Sequence, residues 1–386
     1  MSFFPERAGR EYDRGLWLID PSASYRAGWR RSARLSWSVL LLLLPSVVAG
    51  WAAAGLAGEP AVARYQGSRR SMGVTWSVSL FAADAAKATA CVTAALDEVS
   101  RLESLLSDYQ PESELCRLSR AAPTAQPIPV GPDLWQVLVQ AVAFRDRSGG
   151  AFDPTIGPLT TLWRQARRSG RLPTEARLAA ARQATGPETL ELAASQRAVS
   201  LLRPGMRLDL GGIGMGYAID RALAVLRGRG ITVAMVDASG DIGVIGCPPR
   251  KRGWRIELDP FGRREGKNRN HSPTVITLVD AAITTSGDAF QAVAIDGVRY
   301  SHIVDPRTGL GIVGPTGVTV IAPTAAQADA LATTLSVLGP KEGLPMVEAT
   351  PGAAARFVRL EDGKPAVTAS ARWPAQSAQS SQGHTH

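Results

Sequence analysis

The sequence predicts an α+β fold: mixed sheets with flanking helices, preceded by one N-terminal transmembrane helix. Three observations carry that expectation. Alternating apolar segments and helically spaced segments follow one another with hairpin signals between them, not in the regular order of a doubly wound sheet. An uncharged run from Leu35 to Gly58 lies near the start of the chain. At about 24 residues it is long enough to span a bilayer. The remaining chain, out of 386 residues that are 45% hydrophobic and 20% charged, suffices for a sizeable buried core.

Arg26, Arg30, Arg31 and Arg34 precede the uncharged run and Glu59 follows it. The positive-inside rule therefore keeps residues 1–34 cytoplasmic and exports the rest. The segment 35–58 reads as an uncleaved anchor, because it exceeds a typical signal h-region. The alternative is a signal sequence cut near Ala61-Val62-Ala63. No cysteine sits directly after the run, so a lipid anchor is not expected.

The body spans residues 64–373. Met72 to Phe81 alternates like a strand, and Ala85 to Leu106 places Val92, Leu96, Val99, Leu102 and Leu106 on one helical stripe. Leu134 to Arg145 is a second amphipathic helix, and residues 164–195 read as charged helix without assignable chemistry. A short strand ends at Leu208-Asp209-Leu210, before a glycine-rich turn and a helix from Tyr217 to Leu226. Further strands are expected over 230–236, 254–258, 274–279 and 317–321. Residues 292–304 form a hairpin around Asp296-Gly297, which suits a type I′ turn. A helix over 323–338 has Thr324 as N-cap. Residues 374–386, polar and aperiodic, read as a disordered tail.

Composition excludes several functions. The net charge is +9, but the basic residues are scattered and not interleaved with aromatics, so no nucleic-acid partner is expected. Cys91, Cys116 and Cys247 form no CxxC and cannot all pair with each other. Of four histidines, His384 and His386 lie in the tail and His271 in a polar loop stretch. A His-rich metal centre is thereby excluded.

Three segments concentrate chemistry. Asp209-Leu-Gly-Gly-Ile-Gly-Met-Gly-Tyr217 opens a helix with closely spaced glycines, where free N–H groups favour an anion such as a diphosphate. Its spacing is neither GxGxxG nor a Walker loop, and it is equally compatible with a structural turn. Asp329 and Thr333, at i and i+4 on one helix, offer oxygens that suit a hard cation, although such a pair also occurs on solvated faces. His302 stands at a strand end before the turn Asp305-Pro-Arg-Thr-Gly309. It is placed either for general-base work or for a structural bond within the turn.

These segments, together with Met72-Gly-Val-Thr75, Ser107-Asp-Tyr-Gln-Pro-Glu-Ser-Glu-Leu115, Ala151-Phe-Asp-Pro-Thr-Ile-Gly-Pro158 and Thr285-Ser-Gly-Asp288, occur in a characteristic order. In that order the chain, from about Met72 to Leu338, resembles the FAD:protein FMN transferase (ApbE) family. The resemblance implies Mg²⁺-dependent transfer of FMN from FAD to a Ser or Thr hydroxyl of an exported flavoprotein, with release of AMP. It implies that Met72, Tyr109, Ala151, Phe152, Asp153, Asp209 and Ile303 line the FAD site. The Gly212 carbonyl, Asp329 and Thr333 would hold Mg²⁺, and His302 would act as base. Met215, at the FAD-phosphate end, stands where the family usually has Lys, and Gly214 where many members have Ala. Arg207 or Arg221 would have to supply the missing charge. A hydrolase splitting FAD into FMN and AMP, or a flavin-delivery protein, would carry the same motifs.

Overall fold

The computed structural model describes residues 62–258, 274–287, 292–314, 316–361 and 364–374. The predicted cytoplasmic segment, the membrane helix, His271, Asp288 and all but the first residue of the predicted tail lie outside them. Among the described residues no helix is long and apolar enough to cross a membrane.

The compact unit Ala63–His386 opens with a hairpin of β1 (Ala63–Ser71) and β2 (Val74–Ala82). Its turn is Met72-Gly73, with φ of 48° and 79°, the left-handed pair of a type I′ turn. The expected strand therefore begins at Val74 and not at Met72. Strand β1 escaped the sequence reading because only Ser71, its last residue, is fully buried, so no apolar alternation marks it.

Helix α1 (Ala85–Leu106) matches its predicted bounds. Asp84 caps it, accepting from the Lys87 N–H at 2.8 Å, and the predicted stripe is buried. Each such aliphatic side chain contributes about 1.5–3 kcal/mol on burial. There follow α2 (Glu114–Arg120), β3 (Ile128–Pro129), α3 (Pro132–Arg147), α4 (Gly157–Ser169), α5 (Glu175–Gln183), β4 (Leu190–Ala193) and β5 (Ala198–Leu201). The charged stretch 164–195 is thus not one helix. Gly170, at φ 66°, ends α4, and the chain turns again at Gly186 before β4.

Helix α6 (Gly214–Gly228) starts three residues earlier than its spacing suggested, inside the glycine-rich turn. No strand forms at Leu208–Leu210. That extended segment bonds instead to the Ser119 hydroxyl and the Pro154 carbonyl. Next come β6 (Ala234–Ala238), β7 (Asp241–Ile245), β8 (Trp254–Leu258), β9 (Thr274–Leu278) and β10 (Ala282–Gly287). The expected strand over 230–236 is displaced, because Gly230 at φ 79° ends the turn after α6. The predicted hairpin is β11 (Val293–Ile295) and β12 (Val298–Val304), with Asp296 and Gly297 both at positive φ. Then come β13 (Gly311–Val313), β14 (Thr316–Ala322), α7 (Ala325–Glu348), β15 (Ala354–Glu361) and β16 (Lys364–Ala369). Thr324 caps α7 as expected, and Gly339, at φ 68°, breaks it after Leu338.

Eight strands in the order β1-β2-β6-β7-β10-β14-β15-β16 form one antiparallel sheet. Helices α1, α6 and α7 cover one face, where Trp76, Val78, Leu80, Ile219, Leu331 and Val320 share the main core. The β8–β9 hairpin covers part of the other face, burying Ile242, Val244, Ile283 and Ile321 against Trp254 and Ile276. Strand β7 is buried throughout. Two-sided burial removes the alternation that would have revealed it. The β11-β12-β13 sheet packs Tyr300 and Val304 on Leu159 and Trp163 of α4. Cys91 and Cys116 are buried, Cys247 after β7 is half-buried, and none forms a disulfide.

Candidate active site

The glycine-rich turn and the first half of α7 meet. A Cβ on Gly212 would lie 2.9 Å from the Thr333 hydroxyl and 3.1 Å from the Phe152 ring, so only glycine lets this backbone so close. One turn further, the Gly216 N–H donates to the Asp329 carboxylate at 3.1 Å. Gly216 itself abuts the backbone of Ala325 and Ala326, which holds α6 against α7. Gly212, Thr333, Asp329 and Phe152 therefore share one place. The carbonyl, hydroxyl and carboxylate oxygens suit a hard divalent cation. Among the described residues no cluster of three or more His, Cys, Asp or Glu is arranged for a metal, so this mixed oxygen set is the candidate.

Burial pushes the Asp329 carboxyl up to about 7; the Asp220 charge adds to the shift and the Gly216 N–H opposes it. Asp241, at the start of β7, was not foreseen. Burial, then the Asp329 charge, raises its carboxyl well above the ordinary range. Asp220 accepts from the Ala325 and Ala326 N–H groups at 2.8 and 2.9 Å, fastening α6 to the start of α7.

The expected free N–H groups at the glycine turn are largely taken. Gly211 donates to Asp209, Ile213 and Gly214 to the Leu210 carbonyl, and Gly216 to Asp329. An anion at this turn must look to side chains for its positive partners. Met215 supplies none, being half-buried against the main core. Arg221 is engaged by Glu98 and Asp133 at 3.4 and 3.6 Å. These three line a separate cavity of about 880 Å³, which none of the predicted site residues touches. Arg207, in contrast, donates to the Asp108 carbonyl at 2.8 Å, directly beside Tyr109.

Asp209 is buried and held on three sides. Its carboxylate accepts from the Gly211 N–H at 2.9 Å, the Thr160 hydroxyl at 2.7 Å and Arg164 at 3.1 Å. Thr160 and Arg164 are one turn apart on α4, which is why one carboxylate reaches both. The Arg164 guanidinium also pairs with Asp108 at 2.6 Å and lies 4.4 Å from the Tyr109 ring centre. Burial, then the Asp209 charge, raises the Asp108 carboxyl. Tyr109 is 73% exposed and lines a cavity of about 330 Å³ with Met206, Arg120 and Arg207. Arg164 falls at the start of the stretch the sequence left without chemistry. Only the folded path of α4 beside Asp209 reveals it.

Ala151 and Phe152 are buried, with the Phe152 ring against Phe144 at 6.1 Å. The Asp153 carboxylate accepts from the Thr155 N–H and hydroxyl at 2.8 and 2.6 Å, fixing the turn into α4, and burial raises its pKa. Met72 sits in the β1–β2 turn, half-buried against the main core. His302 lies half-buried on β12 between buried Ser301 and Ile303. The pairing of β12 with β13 is irregular there: four steps from Tyr300 to Val304 oppose two from Val313 to Gly311. Such a bulge re-aims the side chains within it. Trp163 of α4 donates to the Ser301 carbonyl at 2.9 Å, tying this strand to the helix that carries Arg164.

A family model described as "ApbE family" matches residues 72–357. The FAD:protein FMN transferase of Salmonella typhimurium is 31% identical over 283 residues, covering 72% of this chain and 79% of that protein. The one from Vibrio cholerae is 32% identical over 261 residues, covering 67% and 76%. Among solved structures, the flavin transferase ApbE from Vibrio cholerae superposes with a TM-score of 0.71 at 29% identity, covering 81% of this chain and 98% of that one. The apo flavinyl transferase ApbE of Pseudomonas stutzeri gives 0.69 at 27% identity, covering 81% and 95%.

Proposed function

The chain belongs to the ApbE family and is a FAD:protein FMN transferase, and from that premise we propose the finer course of its reaction. The acceptor is a Ser or Thr hydroxyl of a flavoprotein, the leaving group is AMP, and Mg²⁺ is required. The carrying observation is the meeting of Gly212, Thr333, Asp329 and Phe152 at one place.

His302 takes the proton as the acceptor O–H bond breaks. The oxygen forms its bond to the FMN-side phosphorus, the diphosphate bridge breaks, and AMP departs. Gly212, Asp329 and Thr333 would hold Mg²⁺, which when bound supplies charge neutralisation at the diphosphate. Tyr109 offers an aromatic wall to a ring of FAD. Met72, Ala151, Phe152, Asp153, Asp209 and Ile303 complete the FAD surround in this reading.

The uncharged run 35–58 and the arginines before it support a single-pass anchor, with the catalytic unit on the extracytoplasmic face of the inner membrane. The acceptor would then be an exported flavoprotein.

The test uses the chain from Ala63 onward with FAD, Mg²⁺ and a Thr-bearing flavoprotein. Mass spectrometry should find an acceptor heavier by one phosphoester-linked FMN, with AMP in equal amount. AMP without adduct would reassign the protein as an FAD hydrolase. His302→Ala should abolish adduct while FAD still binds; undiminished transfer would remove His302 from the base role.

A further inference from the structure

We propose that Arg164 is a positioning residue that presents Tyr109 to a ring of FAD. The proposal rests on the flavin-transfer reading and deepens it. Tyr109 is largely exposed, and an exposed phenol ring on a loop would sample many orientations. The Arg164 guanidinium lies over one ring face at 4.4 Å, leaving the other for an incoming planar group. That guanidinium is itself fixed by Asp108 at 2.6 Å and Asp209 at 3.1 Å. Asp209 in turn holds the Gly211 N–H, the residue before Gly212. A continuous set of contacts thus runs from the aromatic wall to the candidate cation site. A planar cation with a forked set of donors can bridge two carboxylates and cover a ring at once. A lysine ammonium cannot.

The test compares the parent with Arg164→Met, Arg164→Lys, Tyr109→Ala and the Arg164→Met/Tyr109→Ala double variant. FAD affinity is read from quenching of flavin fluorescence, and turnover from AMP release. Both Arg164 variants should weaken FAD binding by roughly tenfold or more, with kcat at saturating FAD within about threefold of the parent. The double variant should lose less FAD affinity than the two single losses together, since part of the Arg164 contribution passes through the ring. Arg164→Lys keeps a charge between Asp108 and Asp209 and guards against loss of fold, checked by its melting temperature. Parent-like FAD affinity in a folded Arg164→Lys, or additive losses in the double variant, would overturn the proposal while leaving the transferase reading intact. A parent that binds no FAD would sink both.

Discussion

Asp329 shows how one buried carboxyl couples protonation, cation and fold. Its pKa of about 7 in the folded chain stands far above the ordinary carboxylate value. The folded state therefore holds this proton more tightly than the unfolded one. The stability it contributes is present at low pH and is lost as pH climbs from about 4 to about 7. A cation binds the charged form and opposes that loss. Mg²⁺ should accordingly raise the melting temperature more at pH 8 than at pH 6, and Asp329→Asn should remove the gain at both. Equal gains at the two pH values in the parent would refute the assignment. Asp329, Thr333 and His302 could be nominated from the sequence because each belongs to a short ordered motif. Arg164 and Asp241 were not. Arg164 acquires its partners only when α4 is laid beside residues 108 and 209, and Asp241 faces Asp329 only once β7 is seated in the sheet.

At the scale of elements, the contact between α6 and α7 controls the site. A Cβ on Gly216 would strike the Ala325 carbonyl and the Ala326 Cα, backbone atoms that cannot rotate aside. Gly216→Ala should destabilise by about 1–3 kcal/mol or more and loosen Asp329 from its N–H donor. Gly228→Ala, on the same helix with nothing near its Cβ, should be neutral or stabilise by up to about 1 kcal/mol. Chemical denaturation of the two variants checks the contrast; similar midpoints would refute it. Element legibility followed exposure. Helix α1 declared itself because one face is buried and the other wet, whereas β7 has no wet face and β1 is an edge strand with almost no buried one. The break at Gly339 was visible as a helix end, but the helical segment beyond it, starting at Pro340, carries no stripe of its own.

Across the whole molecule, the sheet is the frame and its first edge is formed by residues just after the predicted anchor. All nine residues of β1 pair with β2. A chain starting at Ala63 should fold, while one starting at Val74 leaves β2, with buried Trp76, Val78 and Leu80, as an open edge prone to association. Light scattering at equal concentration distinguishes the two, and a monodisperse Val74 chain would contradict the prediction. A Leu102→Ala substitution, in the middle of the main core, should cost about 2–5 kcal/mol.

With no disulfide to form, the described unit needs no oxidant to fold. Two of the three thiols are buried, leaving Cys247 as the natural point for a maleimide dye. It lies beyond the end of β7 opposite Asp241, the length of a five-residue strand away, roughly 15 Å. A fluorophore there would sit within energy-transfer range of a bound flavin without intruding on it, giving an optical record of FAD arrival and FMN departure in the unmodified sequence.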